Sequence, residues 1–289
     1  MGGMIGVVVV FATVFGGFAL AGGHFEIILH AAPYELLIIL GSAIGAFLIS
    51  NEGHVVKQTL KDIGKVFKGP KWHASDVQSL LCLLFELLRI ARQAPVELEE
   101  HIENPKDSAI FSKYPKIQAD HTAVELICDT LRSASMNYDD PHQVEEVMEK
   151  QLETKLHHAL HSSHAMQNMA DGLPALGIVA AVLGVIKTMA SIDKPPAILG
   201  GMIGGALVGT FLGVFLAYGF VGPFASKMKA VVETDMQFYQ LIREVLVANL
   251  HKHAVDICIE VGRQNAPHDW RPSFSQLEEA LSNTRTGAA

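Results

Sequence analysis

The apolar residues of this chain are gathered into long runs that polar stretches separate. Four of these runs approach or exceed the roughly 20 residues that a helix needs to cross the hydrocarbon core of a bilayer. We predict transmembrane helices over residues 4–22, 34–50, 172–192 and 198–225. The fourth run is longer than a bilayer requires, so we expect its helix to continue some way into water.

A shorter apolar run, Val77–Ile90, predicts a different kind of helix. Its apolar positions recur at helical spacing, and the run also contains Glu86 and Arg89. We interpret it as the buried face of a helix in a water-soluble region rather than as a fifth span.

The remaining polar regions, 51–171 and 226–289, are predicted to be mostly helical. A Glu-rich helix is expected over Gln143–His161, and a tail without regular structure is expected from Ser282. The fold class that follows is an all-α polytopic membrane protein with four transmembrane helices and a large helical cytoplasmic region.

The basic residues indicate how the chain is oriented. The link between the first two spans has no Lys or Arg, and the link between the last two has Lys194 alone. Nearly all other basic residues lie in 51–171 or after 226. By the positive-inside rule, both termini and the large middle region are predicted to be cytoplasmic.

Composition narrows the function classes further. Of the 289 residues, 49% are hydrophobic and 18% are charged, which agrees with a membrane protein, and the net charge of -8 disfavours a nucleic-acid partner. The cysteines Cys82, Cys128 and Cys258 have no C-x-x-C spacing and are expected to be reduced thiols. No nucleophile elbow, phosphate loop or paired-acid motif is present, so neither an enzyme nor a cofactor is predicted.

One histidine-rich stretch, "HHALHSSH", has a spacing that zinc could use. His157, His161 and His164 recur three and four residues apart, but no suitable carboxylate lies within the motif. A polar helix near a membrane carries histidines without binding metal, and we predict no metal site here.

The four spans contain few ionisable groups. Glu35 lies at the edge of the second predicted span, Asp171 just precedes the third, and Lys187 lies in its last turns. A chain that moves ions normally places an acid at mid-depth. Either this chain does not move ions, or a partner chain supplies the carrier.

Small residues predict close helix packing. Gly201, Gly205, Gly209 and Gly213 recur every four residues in the fourth span, and Gly177 shares a face with Ala181 in the third. The neighbours could be helices of this same chain or of a partner. The hydroxyl of Thr210 could bond its own backbone or present an oxygen to an ion.

Two prolines accompany the last two spans. Pro174 begins the third, where a proline is tolerated, and Pro223 comes near the end of the fourth, where it should bend the helix. They could mark hinges or simply helix ends.

Several segments closely resemble the MotA/PomA family of flagellar motor stator subunits. They are "TVFGGFALAGGH", "ELLIILGSAIGAFLISN", "LPALGIVAAVLGV", "LVGTFLGVFLAYGFVGP" and the polar "IENPKDSAIFSKYPKI". The resemblance implies a subunit of the bacterial inner membrane, with about five copies around a dimer of a MotB-like, peptidoglycan-binding partner that carries the ion-binding aspartate. It would couple ion flow to torque on the rotor protein FliG.

The resemblance also assigns residues to the ion pathway and hinge. The paired prolines of the family fall on Pro174 and Pro223, its acid before the third span on Asp171, and its threonine on Thr210. Ala181 stands where sodium-driven relatives have a threonine, a ligand of the oxygen type that a hard cation needs. Protons are therefore favoured over sodium as the transported ion.

For the rotor contact, the matching stretch is "RIARQAPVELEEHIENP". Arg92 and Glu99 are the best counterparts of the basic and acidic contacts of the family, with Arg89 as the alternative basic residue. Three other functions remain open at this stage: an ExbB/TolQ-like energiser of an envelope process, a sodium-driven PomA-like stator, and a passive membrane scaffold.

Overall fold

The structure is a computed structural model, and it describes residues 2–135 and 140–286. The described residues form helices and turns without any strand. The helices, in chain order, are α1 Gly2–Leu20, α2 Phe25–Ser50, α3 Gly53–Asp62, α4 Lys65–Lys68, α5 Ala74–Gln93, α6 Pro95–Glu103, α7 Pro115–Gln118, α8 His121–Ser135, α9 Pro141–Met189, α10 Pro196–Leu216, α11 Gly222–Leu250, α12 Val255–Asn265 and α13 Phe274–Thr286.

The chain folds into two compact units. The first, which we call the membrane unit, comprises residues 1–69 and 159–231; the second, the polar unit, comprises 70–158 and 232–289. Within the described residues, four helical stretches are long and apolar enough to span a bilayer: α1, α2, α9, and α10 with α11. The predicted fold class, all-α with four transmembrane helices, is confirmed.

The bounds of the helices differ from the predicted segments in three places. Helix α2 begins at Phe25, so the predicted segment 34–50 is only its C-terminal part, and Pro33 is accommodated inside the helix. Helix α9 is continuous, so the predicted polar helix and the third span belong to one helix of 49 residues. Helix α13 extends to Thr286, beyond Ser282, where the tail was expected to begin; residues 287–289 lie outside the described part.

A glycine turn connects the first two spans. Gly22 has a φ of 77°, in the left-handed region, and its N–H donates to the carbonyl of Ala19 while the N–H of Gly23 donates to that of Phe18. This pair of bonds is the Schellman arrangement, which needs a residue without a Cβ penalty at the position of Gly22. The tight turn allows α2 to begin at Phe25.

The core of the polar unit is built around α5. Residues Val77, Leu80, Leu81, Leu84, Leu87 and Leu88 are fully buried, and the Trp72 ring stacks on Phe238 with centroids 3.8 Å apart. The carboxylate of Glu86, also buried, accepts hydrogen bonds from Lys113 Nζ at 2.5 Å and from Tyr114 Oη at 2.9 Å. The run Val77–Ile90 is thus a buried helix of the polar unit, as its spacing predicts.

Candidate ion pathway and rotor-contact residues

Helices α9 and α10 approach each other through glycine. A Cβ placed on Gly213 would lie 2.7 Å from the carbonyl oxygen of Leu173 and 2.8 Å from the Cα of Gly177. A side chain at either position would collide with backbone, so the small residues are what permits this approach. The close packing predicted from the glycine spacing occurs within this chain at Gly177, Gly209 and Gly213.

The four glycines Gly201, Gly205, Gly209 and Gly213, which we call the glycine stripe, do not all pack against α9. A Cβ on Gly201 would meet nothing within 4 Å. The close approach to α9 therefore runs from Ala206, which a Cβ on Gly184 would meet at 2.7 Å, to Gly213, while Gly201 has open space on its Cβ side.

Glu35 lies well inside α2, not at its edge. At 1.5 Å per residue it is about 15 Å from the first residue of this 26-residue helix. The side chain is buried, and no partner within hydrogen-bond distance of its Oε2 atom is found among the described residues. The prediction that Glu35 lies at the edge of its span is therefore wrong, because α2 begins earlier than its apolar run.

The space for the Glu35 carboxylate is provided by α10. A Cβ on Gly209 would lie 2.6 Å from Glu35 Oε2, 3.1 Å from the Cβ of Ala180 and 3.1 Å from the backbone nitrogen of Ala181. The buried acid, the predicted ion-selectivity position Ala181 and the residue before Thr210 therefore meet at one level of the membrane unit.

A cleft opens beside this level. It has a volume of about 420 Å³ and is lined by Glu26, His30, Glu35, Lys187 and Thr188, among others. Polar groups of this kind are rare in apolar helices and usually line a route for water or ions. The cleft thus has Glu35 and a few other polar side chains on an otherwise mostly apolar lining.

The other predicted pathway residues lie along α9 and around α10. Asp171 is exposed, and its Oδ1 accepts a hydrogen bond from Gln167 Nε2 at 2.8 Å. It lies about 15 Å along the helix from Ala181, so the two belong to different levels. Pro174 is half-buried in the interior of α9, not in a first turn, and Thr210 is half-buried on α10.

A π-helical turn precedes Pro223. Residues Ala217–Val221 adopt it between α10 and α11, and the Gly222 N–H donates to the Ala217 carbonyl five residues back. Proline has no N–H and its ring displaces the carbonyl of the preceding turn, which favours such a local widening. The sequence predicts a bend at Pro223, and this π-helical turn lies immediately before it.

A broad apolar face of the membrane unit is exposed. Along α9 it includes Ile178, Val182, Val185, Ile186 and Met189. Exposed apolar side chains in such number are stable only against lipid or against other apolar helices.

The predicted rotor-contact residues belong to the polar unit. Arg92, near the end of α5, donates from Nη2 to Asn249 Oδ1 at 3.0 Å and also to the backbone carbonyl of His253. Arg89 Nε donates to Gln93 Oε1 at 3.3 Å, and Glu99 on α6 is exposed. Arg92 therefore makes intramolecular hydrogen bonds that the sequence does not reveal. They join the end of α5 to the last turn of α11 and to the residues that follow it.

The three thiols of the polar unit are buried and are expected to be unreactive. Cys82, Cys128 and Cys258 are buried and unpaired by disulfides. Burial raises the pKa of all three, and that of Cys128 to about 12. A thiol that stays protonated is a poor nucleophile, which agrees with the absence of a redox motif.

These features define a class: a multi-pass helical membrane protein whose spans pack through glycine around a buried acid, as in an ion-channel subunit. Residues 4–95 match the family model "Motility protein A N-terminal", and residues 118–240 match the "MotA/TolQ/ExbB proton channel family". Neither an active-site motif nor this family points to an enzyme.

Individual relatives match over almost the whole chain. Motility protein A of Salmonella typhimurium is 40% identical over 283 residues, which is 98% of this chain and 95% of that protein. Motility protein A of Escherichia coli is 38% identical over 96% of this chain and 93% of its own length. The chain therefore belongs to the motility protein A family of stator subunits.

Solved structures share the fold. The structure titled "Structure of C. jejuni MotAB" has a TM-score of 0.74 at 22% identity and covers 94% of this chain and 98% of its own. The flagellar MotAB stator complex from Bacillus subtilis has a TM-score of 0.71, also at 22% identity, with 96% and 98% covered.

Proposed function

We propose that this chain is a flagellar motor stator subunit that, with a MotB-like partner, couples proton flow across the bacterial inner membrane to torque on the rotor. The observation that carries the proposal is the full-length relationship to motility protein A, which extends through both units. Four spans and the stretch with Arg92 and Glu99 favour a motor over an ExbB/TolQ-like energiser.

The partner chain is expected to carry the mobile ion. Among the described residues of its candidate spans, this chain offers one buried carboxylate, Glu35, and a large exposed apolar face. A dimer of a peptidoglycan-binding partner with an aspartate in its membrane helix would occupy the centre of a ring of about five copies, and lipid would cover the outer surface. Protonation of a buried carboxylate changes its charge and hence its packing against neighbouring helices.

Glu35 adds a protein-side acid to this pathway. It lies beside Ala181 and Gly209, where it could orient water or exchange a proton with the partner aspartate. Asp171, at a different level of α9, is suited to a later step toward the cytoplasm, and the helix irregularities at Pro174 and Pro223 to the coupled movement.

The proposed ion is H⁺. Family membership supports a proton channel, and Ala181 has no oxygen with which to ligate sodium. The distribution of basic residues favours a cytoplasmic location for both termini and the polar unit, from which Arg92, Glu99 and Arg89 would contact FliG.

The proposal is tested by complementation. The gene is expressed with its cognate B gene in a flagellated host that lacks its own stators, and swimming is recorded together with co-purification of the two chains from membranes. Restored swimming with a stable complex is expected. A stable complex without swimming would contradict the stator proposal and favour an ExbB/TolQ-like energiser of an envelope process.

A further inference from the structure

We propose that His142, Glu145 and His251 form a binding site for a borderline divalent transition cation such as Zn²⁺. Each of the three offers one ligand atom, and these atoms all lie within 4.8 Å of one another. Two imidazoles and one carboxylate are a donor set that zinc takes with a water molecule as the fourth ligand. All three residues belong to the polar unit, so the site is separate from the candidate ion pathway.

The first two donors are presented by the beginning of α9. His142 and Glu145 are three residues apart, which places them on the same face one turn apart. Asp140 fixes this turn, because its Oδ1 accepts a hydrogen bond from the His142 N–H at 3.0 Å. The Nδ1 atom of His142 lies 3.9 Å from Glu145 Oε2.

The third donor is held by an unusual turn at the end of α11. Lys252, the residue after His251, has a φ of 61°, which is uncommon for a residue other than glycine. The N–H groups of Lys252 and His253 donate to the carbonyls of Asn249 and Ala248, and Arg92 contacts the same turn. This turn brings the His251 ring to a centroid distance of 5.3 Å from that of His142.

The carboxylate is already oriented for a ligand. Arg243 Nη2 donates to Glu145 Oε1 at 2.9 Å, which leaves Oε2, the oxygen nearer His142, available. A partner that fixes a ligating carboxylate in this way commonly raises metal affinity. Arg243 also pairs with Glu149 and Glu244, so three carboxylates surround one guanidinium and the local charge favours a cation.

The sequence does not show this site, because its donors come from helices far apart in the chain. The stretch with His157, His161 and His164, which has zinc-like spacing, does not bring three donors together in the described part of the chain. A cation bound at His142, Glu145 and His251 would join the start of α9 to the end of α11, and so stabilise the turn that Arg92 contacts.

The test uses the full-length chain, purified in detergent and stripped of metal by a chelator. Co²⁺ is titrated as a spectroscopic substitute for Zn²⁺, and Zn²⁺ binding is measured by calorimetry. We expect one cation per chain, with visible Co²⁺ bands of imidazole ligation. The variants His142→Ala and His251→Ala are expected to lose at least about tenfold in affinity.

His121→Ala is the matched control, because His121 is an exposed histidine that lies 3.6 Å from Glu125 and belongs to no group of three donors within the described part of the chain. It should bind as the unaltered chain does. Circular dichroism without metal verifies that each variant is folded; where a histidine variant is not, Glu145→Gln takes its place. Equal affinity in folded His142→Ala and His251→Ala variants, or no Co²⁺ spectrum with the unaltered chain, would overturn the site.

Discussion

The Oε2 atom of Glu35 lies 2.6 Å from the point that a Cβ on Gly209 would occupy. Glycine at this position of α10 is therefore what makes room for the carboxylate on α2. The relationship ties a residue of the predicted glycine stripe to an acid, and it gives the stripe a chemical role in addition to helix packing.

The variant Gly209→Ala should be destabilising. Its added Cβ would meet Glu35, Ala180 and Ala181, and overpacking of this kind costs typically about 1–3 kcal/mol. We expect a lower thermal midpoint of the detergent-solubilised protein and weaker swimming. Gly201→Ala is the control: its Cβ enters open space, and alanine favours the helix by up to about 1 kcal/mol. Equal stability of the two variants would contradict the packing described.

The variant Glu35→Gln tests the acid itself. Glutamine keeps the size of the side chain but cannot titrate, so the protein should assemble at normal levels while swimming speed falls clearly. Glu52→Gln, at an exposed acid that does not line the cleft, should leave speed nearly unchanged. Normal swimming of the Glu35→Gln variant over a range of external pH would exclude the carboxylate from the pathway.

Two roles of Arg92 can be separated by substitution. Arg92→Lys keeps the charge but loses the planar fork that contacts Asn249 and the His253 carbonyl. If the intramolecular contact matters, Arg92→Lys and Asn249→Ala should each lower the free energy of unfolding by about 0.5–1.5 kcal/mol.

If the charge contacts the rotor, Arg92→Glu should impair swimming, and a compensating charge reversal on FliG should restore it. Arg89→Glu is the comparison for the alternative basic residue. Full swimming of the Arg92→Glu variant would remove Arg92 from the interface.

The buried thiols predict a dependence on pH. Because burial raises the pKa of Cys128 to about 12, from an ordinary value of 9.0, the unfolded chain releases a proton that the folded chain retains between these values. Stability should fall as pH rises through this window.

At pH 8 the native cysteines should resist iodoacetamide, whereas Ser75→Cys, at an exposed position, should react rapidly; mass spectrometry measures both. Rapid native labelling of Cys128 would contradict its burial.

The four spans could be predicted because twenty apolar residues in succession have few alternatives to a membrane. The start of α2 could not, because Glu26, His30 and Pro33 interrupt the apolar run although the helix continues through them. The continuity of α9 was hidden by the change from polar to apolar composition, which alters the surroundings of a helix without ending it.

The candidate ion pathway and rotor-contact residues could be only partly predicted from the sequence. Asp171, Ala181, Thr210 and the prolines were named by resemblance, and their role stays a prediction. Contacts across the fold, such as Glu35 with Gly209 or Arg92 with Asn249, depend on how distant segments pack, and no local pattern encodes them.

The most direct test of the central claim is swimming speed in a stator-deleted host carrying this chain and its cognate B chain, while the proton and sodium gradients are collapsed separately. We predict that motility ends with the proton gradient alone and is insensitive to sodium. Motility that follows the sodium gradient, with the proton gradient making no difference, would contradict the assignment of H⁺ to the pathway beside Ala181.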